Sequence, residues 1–328
     1  MLDEVSLALL KKEKNLLAFS AGVDSSALFF LLFEHEVKFD IALVNYGLRE
    51  QSKEEEAYAL ELAKAYNLQA HTIQAPIFEQ NFEKNARDFR YAFFDRLMDE
   101  QSYDNLLTAH QLNDQLEWFF MRLTKGAGTS ELLGIERCSK RKDYTLVRPL
   151  LEHTKEELLN YLKQKNHKYF VDESNCDEKY ERNFFRQEFS NKLIENYGQG
   201  IRRSFKYLKE DKEILNEGYS EIFHEKELYI LSYTTEHILK RVLDKYLKKL
   251  GYLLSAKQRE LLKKEYSLVL GHLWAVEITK EYIFIAPYRI SSMPKEFKEV
   301  CRKLKIPSKI RAYLKEEGIN PTKLPRSF

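Results

Sequence analysis

Residues 15–33 constrain the fold of this chain more tightly than any other stretch. Asn15-Leu-Leu-Ala-Phe19 is an apolar run too short for a helix, and it ends in a Ser/Gly turn. Asp24 to Phe33 then continues as an apolar pattern of helical length. Three further strand–helix pairs follow. Phe39 to Asn45 precedes a charged helix from about Ser52 to Tyr66, Ala70 to Gln74 precedes Glu83 to Met98, and Asn105 to Ala109 precedes Leu112 to Leu123. Strands separated by helices of this length predict an α/β fold: a parallel sheet with helices on both faces. Such sheets bind ligands outside the carboxyl ends of their strands.

The pattern changes near residue 200. From Gln187 to Lys264 apolar positions recur at helical spacing, as in Leu239, Val242, Leu243 and Tyr246, against a Lys/Glu-rich background. Leu228 to Ser232 and Leu273 to Tyr288 can supply a few strands. The expected layout is a nucleotide-binding domain over 1–200 and a mainly helical, basic domain over 201–328. The formal net charge of +2 conceals that basic end. Lys295, Lys298, Arg302, Lys303, Lys305, Lys309, Arg311, Lys315, Lys323 and Arg326 face only Glu296, Glu299, Glu316 and Glu317. A polyanion could use such a surface, although a merely solvated face has the same composition.

Several classes are disfavoured. The longest apolar run, Ala27 to Phe33, falls far short of the roughly 20 residues needed to span a bilayer. Lys11, Lys12 and Lys14 are not followed by a small-residue cleavage site, so a cytoplasmic protein with no membrane partner is expected. Cys138, Cys176 and Cys301 are isolated and suggest neither a zinc site nor an iron–sulfur ligand set. A homodimer is common at this size, but the sequence does not reveal oligomeric state.

The chemistry centres on Phe19-Ser-Ala-Gly-Val-Asp-Ser-Ser26. A strand–turn–helix with small residues gathers unpaired N–H groups and the positive end of the helix dipole at one spot. Ser20, Ala21, Gly22, Val23, Ser25 and Ser26 would thus cradle an anion. Asp24 fits such a cradle if a Mg²⁺ ion bridges its carboxylate to phosphates. The segment lacks the lysine of a Walker-type P-loop. Its bland alternative is a Ser/Asp helix cap beside a glycine turn.

This segment resembles the SGGxDS signature of PP-loop ATP pyrophosphatases, with Ala21 in place of the first glycine. Val44-Asn-Tyr-Gly-Leu-Arg-Glu50 resembles VDHGLR, with Asn45 and Tyr46 replacing Asp and His. Asn85 to Tyr91 resembles an ARxxRY helix, and Ala109 to Glu117 resembles AHHxDDQxET, with Gln111 and Asn113 as departures and Trp118 replacing the Thr. Val147-Arg-Pro-Leu-Leu151 and Val171 to Asp177, leading to Arg182-Asn183, look like segments of tRNA(Ile)-lysidine synthetases. Together the motifs cover most of residues 14–190 in the expected order.

That resemblance implies a ligase using ATP and Mg²⁺. It would join L-lysine to the wobble cytidine of tRNA(Ile) with a CAU anticodon, through an adenylated base, releasing AMP and pyrophosphate. The expected catalytic residues are Asp24, Arg90, Asp114, Glu117 and Arg182, with His110 and the Ser20–Ser26 loop holding ATP and Asp24 the metal. Asp114 and Glu117, three apart on one helix, share a face and would hold the lysine amine, one of them taking its proton. Arg87 belongs to the same edge. Arg202, Arg203, the basic helices after Ile238 and the basic end would contact tRNA. His110 could instead simply cap the next helix, and Asp114 and Glu117 could be an exposed face. Two other functions fit less well: a tRNA thiolation enzyme, for which only Cys176 lies within a matched motif, and a nucleotide-binding module without chemistry.

Overall fold

Leu16 and Leu17 show how the first sheet is buried. In the computed structural model, which describes residues 2–47, 51–171, 181–262 and 264–325, both side chains are inaccessible and enter different cores. Successive strand residues point to opposite faces, so a strand covered on both sides reads as a continuous apolar run.

The chain divides into Met1–Lys209 and Glu210–Phe328. The first unit opens with α1 (Glu4–Leu10), β1 (Asn15–Ala18), α2 (Val23–Glu34), β2 (Phe39–Asn45) and α3 (Gln51–Ala65). It continues through β3 (Ala70–Gln74), α4 (Phe82–Gln101), β4 (Asn105–Leu107), α5 (Leu112–Leu123) and α6 (Thr129–Leu132). The hairpin of β5 (Cys138–Arg141) and β6 (Tyr144–Val147) precedes α7 (Lys155–Gln164), α8 (Glu181–Phe185), a π-helical turn at Arg186–Ser190 and α9 (Asn191–Asn216). The alternation legible in the sequence is therefore present, each strand–helix pair within a few residues of its expected bounds. The two units meet within α9, at Lys209/Glu210.

The sheet order is β3-β2-β1-β4-β6-β5. All pairs are parallel except the β5–β6 hairpin. From β1 the chain moves outward to β2 and β3, then returns to the other side for β4. Strand order thus reverses between β1 and β4, which opens a crevice at their carboxyl ends. On one face Leu17, Ile41, Leu107 and Val147 pack with α2, α3 and α7; on the other Leu16, Ala42, Leu106 and Leu146 pack with α4. Helix α2 is buried almost all round, from Val23 to Leu32, which explains its lack of a polar face. Each fully buried Leu or Phe in it contributes about 1.5–3 kcal/mol.

The second unit contains β7 (Tyr219–Glu225), β8 (Leu228–Tyr233), α10 (Leu239–Lys249), α11 (Ala256–Leu261), β9 (Ser267–Leu270), β10 (Trp274–Ile278), β11 (Tyr282–Pro287), α12 (Lys295–Lys303) and α13 (Ser308–Glu316). Its strands form one antiparallel sheet, ordered β7-β8-β11-β10-β9. Helix α10 covers one face with Val242, Leu243 and Leu247, and Ile310, Tyr313 and Leu314 of α13 cover the other. The few strands expected at 228–232 and 273–288 are thus the middle of a five-stranded sheet, and the unit is more mixed than its helical spacing suggested.

Candidate active site

The loop after β1 is shaped by hydrogen bonds rather than by glycine alone. Ser25 Oγ accepts from Ser20 N at 3.2 Å and donates to the Gly22 carbonyl at 3.2 Å. Ser20 Oγ lies 3.1 Å from it. Phe170 N donates to the Ala21 carbonyl at 2.9 Å, pinning the outer side of the turn. Ala21 occupies the left-handed region at φ 57°, where a methyl group costs about 1–2 kcal/mol relative to glycine. Gly22 caps α2 without any side-chain bond, so the first amides of this twelve-residue helix face the cleft with no built-in acceptor.

These groups line one wall of a cleft of about 380 Å³ at the β1/β4 switch point. The second wall comes from α5 and α8. Gln111 caps α5: its Oε1 accepts from Asn113 N at 2.7 Å, while Asp114 Oδ2 accepts from Gln111 N at 2.9 Å. That cap orients Asp114, whose Oδ1 accepts from Arg182 Nη2. Arg182 Nε donates to Glu117 Oε2 at 2.8 Å, and Arg186 Nε donates to Glu117 Oε1 at 2.7 Å. The structure brings Ser20, Gly22, Val23, Asp24, Ser25, Arg90, His110, Asp114 and Arg182 to the cleft surface. Ala21 and Ser26 sit behind it, both inaccessible.

Glu117 is 1% exposed, and both oxygens are taken by arginines. It is a counter-ion to both Arg182 and Arg186. Arg186 was missed by sequence reasoning because it lies on a turn with no motif. Lys155, at the start of α7, was missed likewise; it lines the cleft with Asp24. Arg87 rests on the Tyr91 ring at 4.8 Å and does not line the cleft. Leu48, Arg49 and Glu50, and Asp172 to Asp177 with Cys176, lie outside the described residues. Of the described thiols, Cys301 is buried and Cys138 is exposed on β5, and neither lines the cleft.

The departures from the family motifs have local reasons. Asn45 Nδ2 donates to Glu56 at 2.7 Å and its Oδ1 accepts from Gly47 N at 2.8 Å, closing the turn after β2. Tyr46 donates to the Ala86 carbonyl at 3.1 Å. Asn113 Nδ2 donates to Asn191 at 3.0 Å. Trp118 Nε1 donates to the Glu131 carbonyl at 2.8 Å. Its indole lies so close to Gly134 that a Cβ there would meet it at 2.7 Å.

Electrostatics separate the two walls. Burial, reinforced by the Asp114 carboxylate, pushes the Asp24 carboxyl up to about 7 against the pull of Lys155 and Arg186. Asp24 Oδ1 is buried without a hydrogen-bond partner among the described residues. A lone carboxylate oxygen beside an anion cradle fits Mg²⁺, which is commonly held by one or two carboxylates plus phosphates and water. Asp114 behaves oppositely: burial opposes its charge, but Arg182, with His110 and the Gln111 amide, holds it below the usual carboxylate range. Burial also works against Arg182, yet Asp114 and Glu117 keep its guanidinium well above the ordinary value. Burial lowers His110 to about 4; Asp114 resists, while Arg148, Arg182 and Arg87 add to the shift. The imidazole is thus uncharged at neutral pH, 2.9 Å from Thr108 Oγ1.

An uncapped helix after β1, at the reversal of a parallel sheet, is the arrangement of a nucleotide-binding α/β domain, and the PP-loop domain family matches residues 2–193. A tRNA(Ile)-lysidine synthase of Campylobacter jejuni is 46% identical over 98% of both chains. Those of Wolinella succinogenes and Helicobacter pylori are 45% and 42% identical, over 95% and 94% of this chain and 95% and 91% of theirs. The chain belongs to the tRNA(Ile)-lysidine synthase family. Among solved structures, the U34-tRNA thiolase NcsA of Methanococcus maripaludis superposes with a TM-score of 0.50 at 19% identity, over 62% of this chain and 75% of that one, a likeness of fold alone.

Proposed function

We propose that this cleft ligates L-lysine to the wobble cytidine of a CAU-anticodon tRNA(Ile) at the expense of ATP. The observation that carries the proposal is the pairing of an anion cradle on one wall with an ionised, arginine-locked carboxylate on the other. The first suits a polyphosphate and the second a cationic amino acid.

The α2 amides and the Ser20 hydroxyl would hold the phosphates, and Asp24 would hold Mg²⁺, which would neutralise phosphate charge. Arg90, Lys155 and Arg182 face the same space and stabilise charge that builds on the phosphates as the cytidine O2 attacks the α-phosphate and the α–β bond breaks to release pyrophosphate. His110, uncharged, offers a hydrogen bond without repelling lysine. The apolar wall of Val44, Tyr46 and Phe94 takes the flat side of a nucleobase. Asp114 anchors lysine's ammonium group and takes its proton as the nitrogen attacks C2 and AMP leaves. Glu117 acts through the arginines it positions.

The cytidine must leave its stack, which an anticodon loop permits more readily than a duplex. A basic surface must then hold the rest of the tRNA. Lys298, Arg302, Lys303 and Lys305 are exposed on and after α12 and suit that role, so tRNA affinity should fall steeply with salt. Among the described residues no helix is long and apolar enough to cross a membrane, and an enzyme acting on tRNA would work in the cytoplasm.

The test is incorporation of labelled lysine into unfractionated bacterial tRNA, with and without ATP and Mg²⁺. ATP-dependent label confined to a minor isoleucine tRNA is expected. Asp114→Asn retains an oxygen for the α5 cap and should fold, yet incorporate almost no lysine. Near-normal incorporation by that variant would remove Asp114 from the mechanism.

A further inference from the structure

A groove of about 1000 Å³ adjoins the cleft, walled by the first turn of α7 and by α9 around residue 197. Cleft and groove share Lys155, and Asn113 on the groove wall immediately precedes Asp114 of the cleft. An occupant of the groove would therefore lie next to a substrate in the cleft, with Lys155 between them. Its volume stands at the top of the range for small-molecule sites, roughly 300–1,000 Å³, and is far more than lysine fills.

The groove wall breaks local rules for which packing gives no reason. Helix α9 leaves helical geometry at Tyr197, φ −134° and ψ 16°, and the ring is 65% exposed. Gly198 and Gly200 follow, neither at a positive φ. A Cβ on Gly200 would meet nothing within 4 Å, and one on Gly198 would make only ordinary contacts at 3.5 Å. Glycine is the poorest helix former after proline, so two of them weaken α9 without relieving any clash. Such conflicts between local preference and fold concentrate at functional sites. Here they leave bare backbone and an exposed aromatic ring on the groove wall. The exposed amide of Gln199 and the exposed guanidinium of Arg203 stand beside them. Arg202 is committed instead, its Nη2 bonded to Glu157 at 2.7 Å.

We propose that this groove receives the unpaired nucleotides flanking the target cytidine, one base stacking on Tyr197. Gln199 reads the base edge, Arg203 meets the phosphate, and the glycines let the ribose–phosphate chain approach the helix. This rests on the tRNA reading above. Every base has a face that an aromatic ring can stack on, and unpaired loops are where proteins read RNA. Glu156 and Glu195, also on the wall, confine the phosphates to the Arg203 side.

The experiment measures lysine incorporation into full-length tRNA by the full chain, varying tRNA, ATP and lysine in turn, alongside direct tRNA binding. Tyr197→Ala should raise KM for tRNA about tenfold, the scale of one lost stack, and leave KM for ATP and lysine unchanged. Tyr197→Trp should restore the parent value. The Gly198→Ala/Gly200→Ala variant should melt at a higher temperature than the parent and yet bind tRNA more weakly. Unchanged tRNA affinity in Tyr197→Ala and in the glycine variant overturns the groove. If the parent incorporates no lysine, the ligase reading fails instead; weaker tRNA binding by Tyr197→Ala then still upholds the groove.

Discussion

The two walls of the cleft are built on opposite principles. The α2 wall is made of backbone: small residues, an uncapped helix end and a carboxylate, Asp24, with one oxygen lacking a partner. The α5–α8 wall is made of side chains: Asp114 and Glu117 locked to Arg182 and Arg186. The first has no side-chain cap and no protein partner for Asp24 Oδ1 among the described residues. The second is satisfied internally and presents a fixed field. Removing a group from the first should therefore cost function without stability, whereas removing one from the second should cost both.

Asp24→Asn is the sharpest test of that difference. Activity should fall by at least about 10²-fold, the scale of losing one preorganised electrostatic contact. Stability should move the other way. A carboxyl whose folded pKa is about 7, against about 3.9 unfolded, binds more protons folded than unfolded, so its ionisation lowers stability as pH rises between those values. Asparagine has no such term, and the variant should melt no lower than the parent at pH 8. A large drop in melting temperature would show that Asp24 already has an internal partner. Glu117→Gln comes next. It leaves two guanidinium groups short of a buried counter-ion, and breaking a buried pair costs about 3–5 kcal/mol. Activity should fall in parallel, since Arg182 loses its support. Denaturant melts that match the parent would mean that Asp114 alone holds both arginines.

The same contrast governs what was legible in the sequence. The α2 wall is contiguous: Phe19 to Ser26 follow directly on β1 and contain the turn and the helix start, so chemistry and spacing could be read together. Asp114 and Glu117 were visible as neighbours on one helix, but what they bind was not. Arg182 Nε meets Glu117 across 65 residues of sequence, and Arg186 comes from a π-helical turn that no periodicity announces. The burial of Glu117 was not legible either, because a helix face cannot be assigned to solvent or core before its partner helix is known. In the fold, β1, β2 and β4 were legible as largely apolar runs. The β5–β6 hairpin was not, since Cys-Ser-Lys-Arg on an edge strand has no apolar pattern. In the second unit, strands β10 and β11 are buried on both faces, and α10, with its clean amphipathic spacing, dominated the reading.

An ion-paired cluster away from the cleft serves as the control. Asp95 accepts from Arg141 at 3.1 Å and from Tyr144 at 2.5 Å, with Lys142 at 2.9 Å. Burial opposes its ionisation, but these hydrogen bonds bring the carboxyl down to about 2. A depressed acid contributes stability above its unfolded pKa of about 3.9 and loses it as pH falls towards 2. Asp95→Asn should cost about 2 kcal/mol at pH 7, with the gap to the parent narrowing below pH 4, and should leave lysine incorporation unchanged. A gap that stays constant down to pH 2 would assign the loss to packing rather than charge.

The smallest effect expected is at Ala21, where the α2 wall departs from the family's glycine. Ala21→Gly removes a left-handed strain of about 1–2 kcal/mol but gives the unfolded chain more freedom, worth about 0.4–1 kcal/mol. The methyl is inaccessible and the carbonyl is already held by Phe170, so the loop should keep its shape. The net gain should stay near 1 kcal/mol or below, with KM for ATP unchanged. A clear rise or fall in KM would show that the Ala21 methyl, and not only the backbone it strains, sets the position of the α2 amides. The α2 wall would then depend on side-chain packing as the α5–α8 wall does.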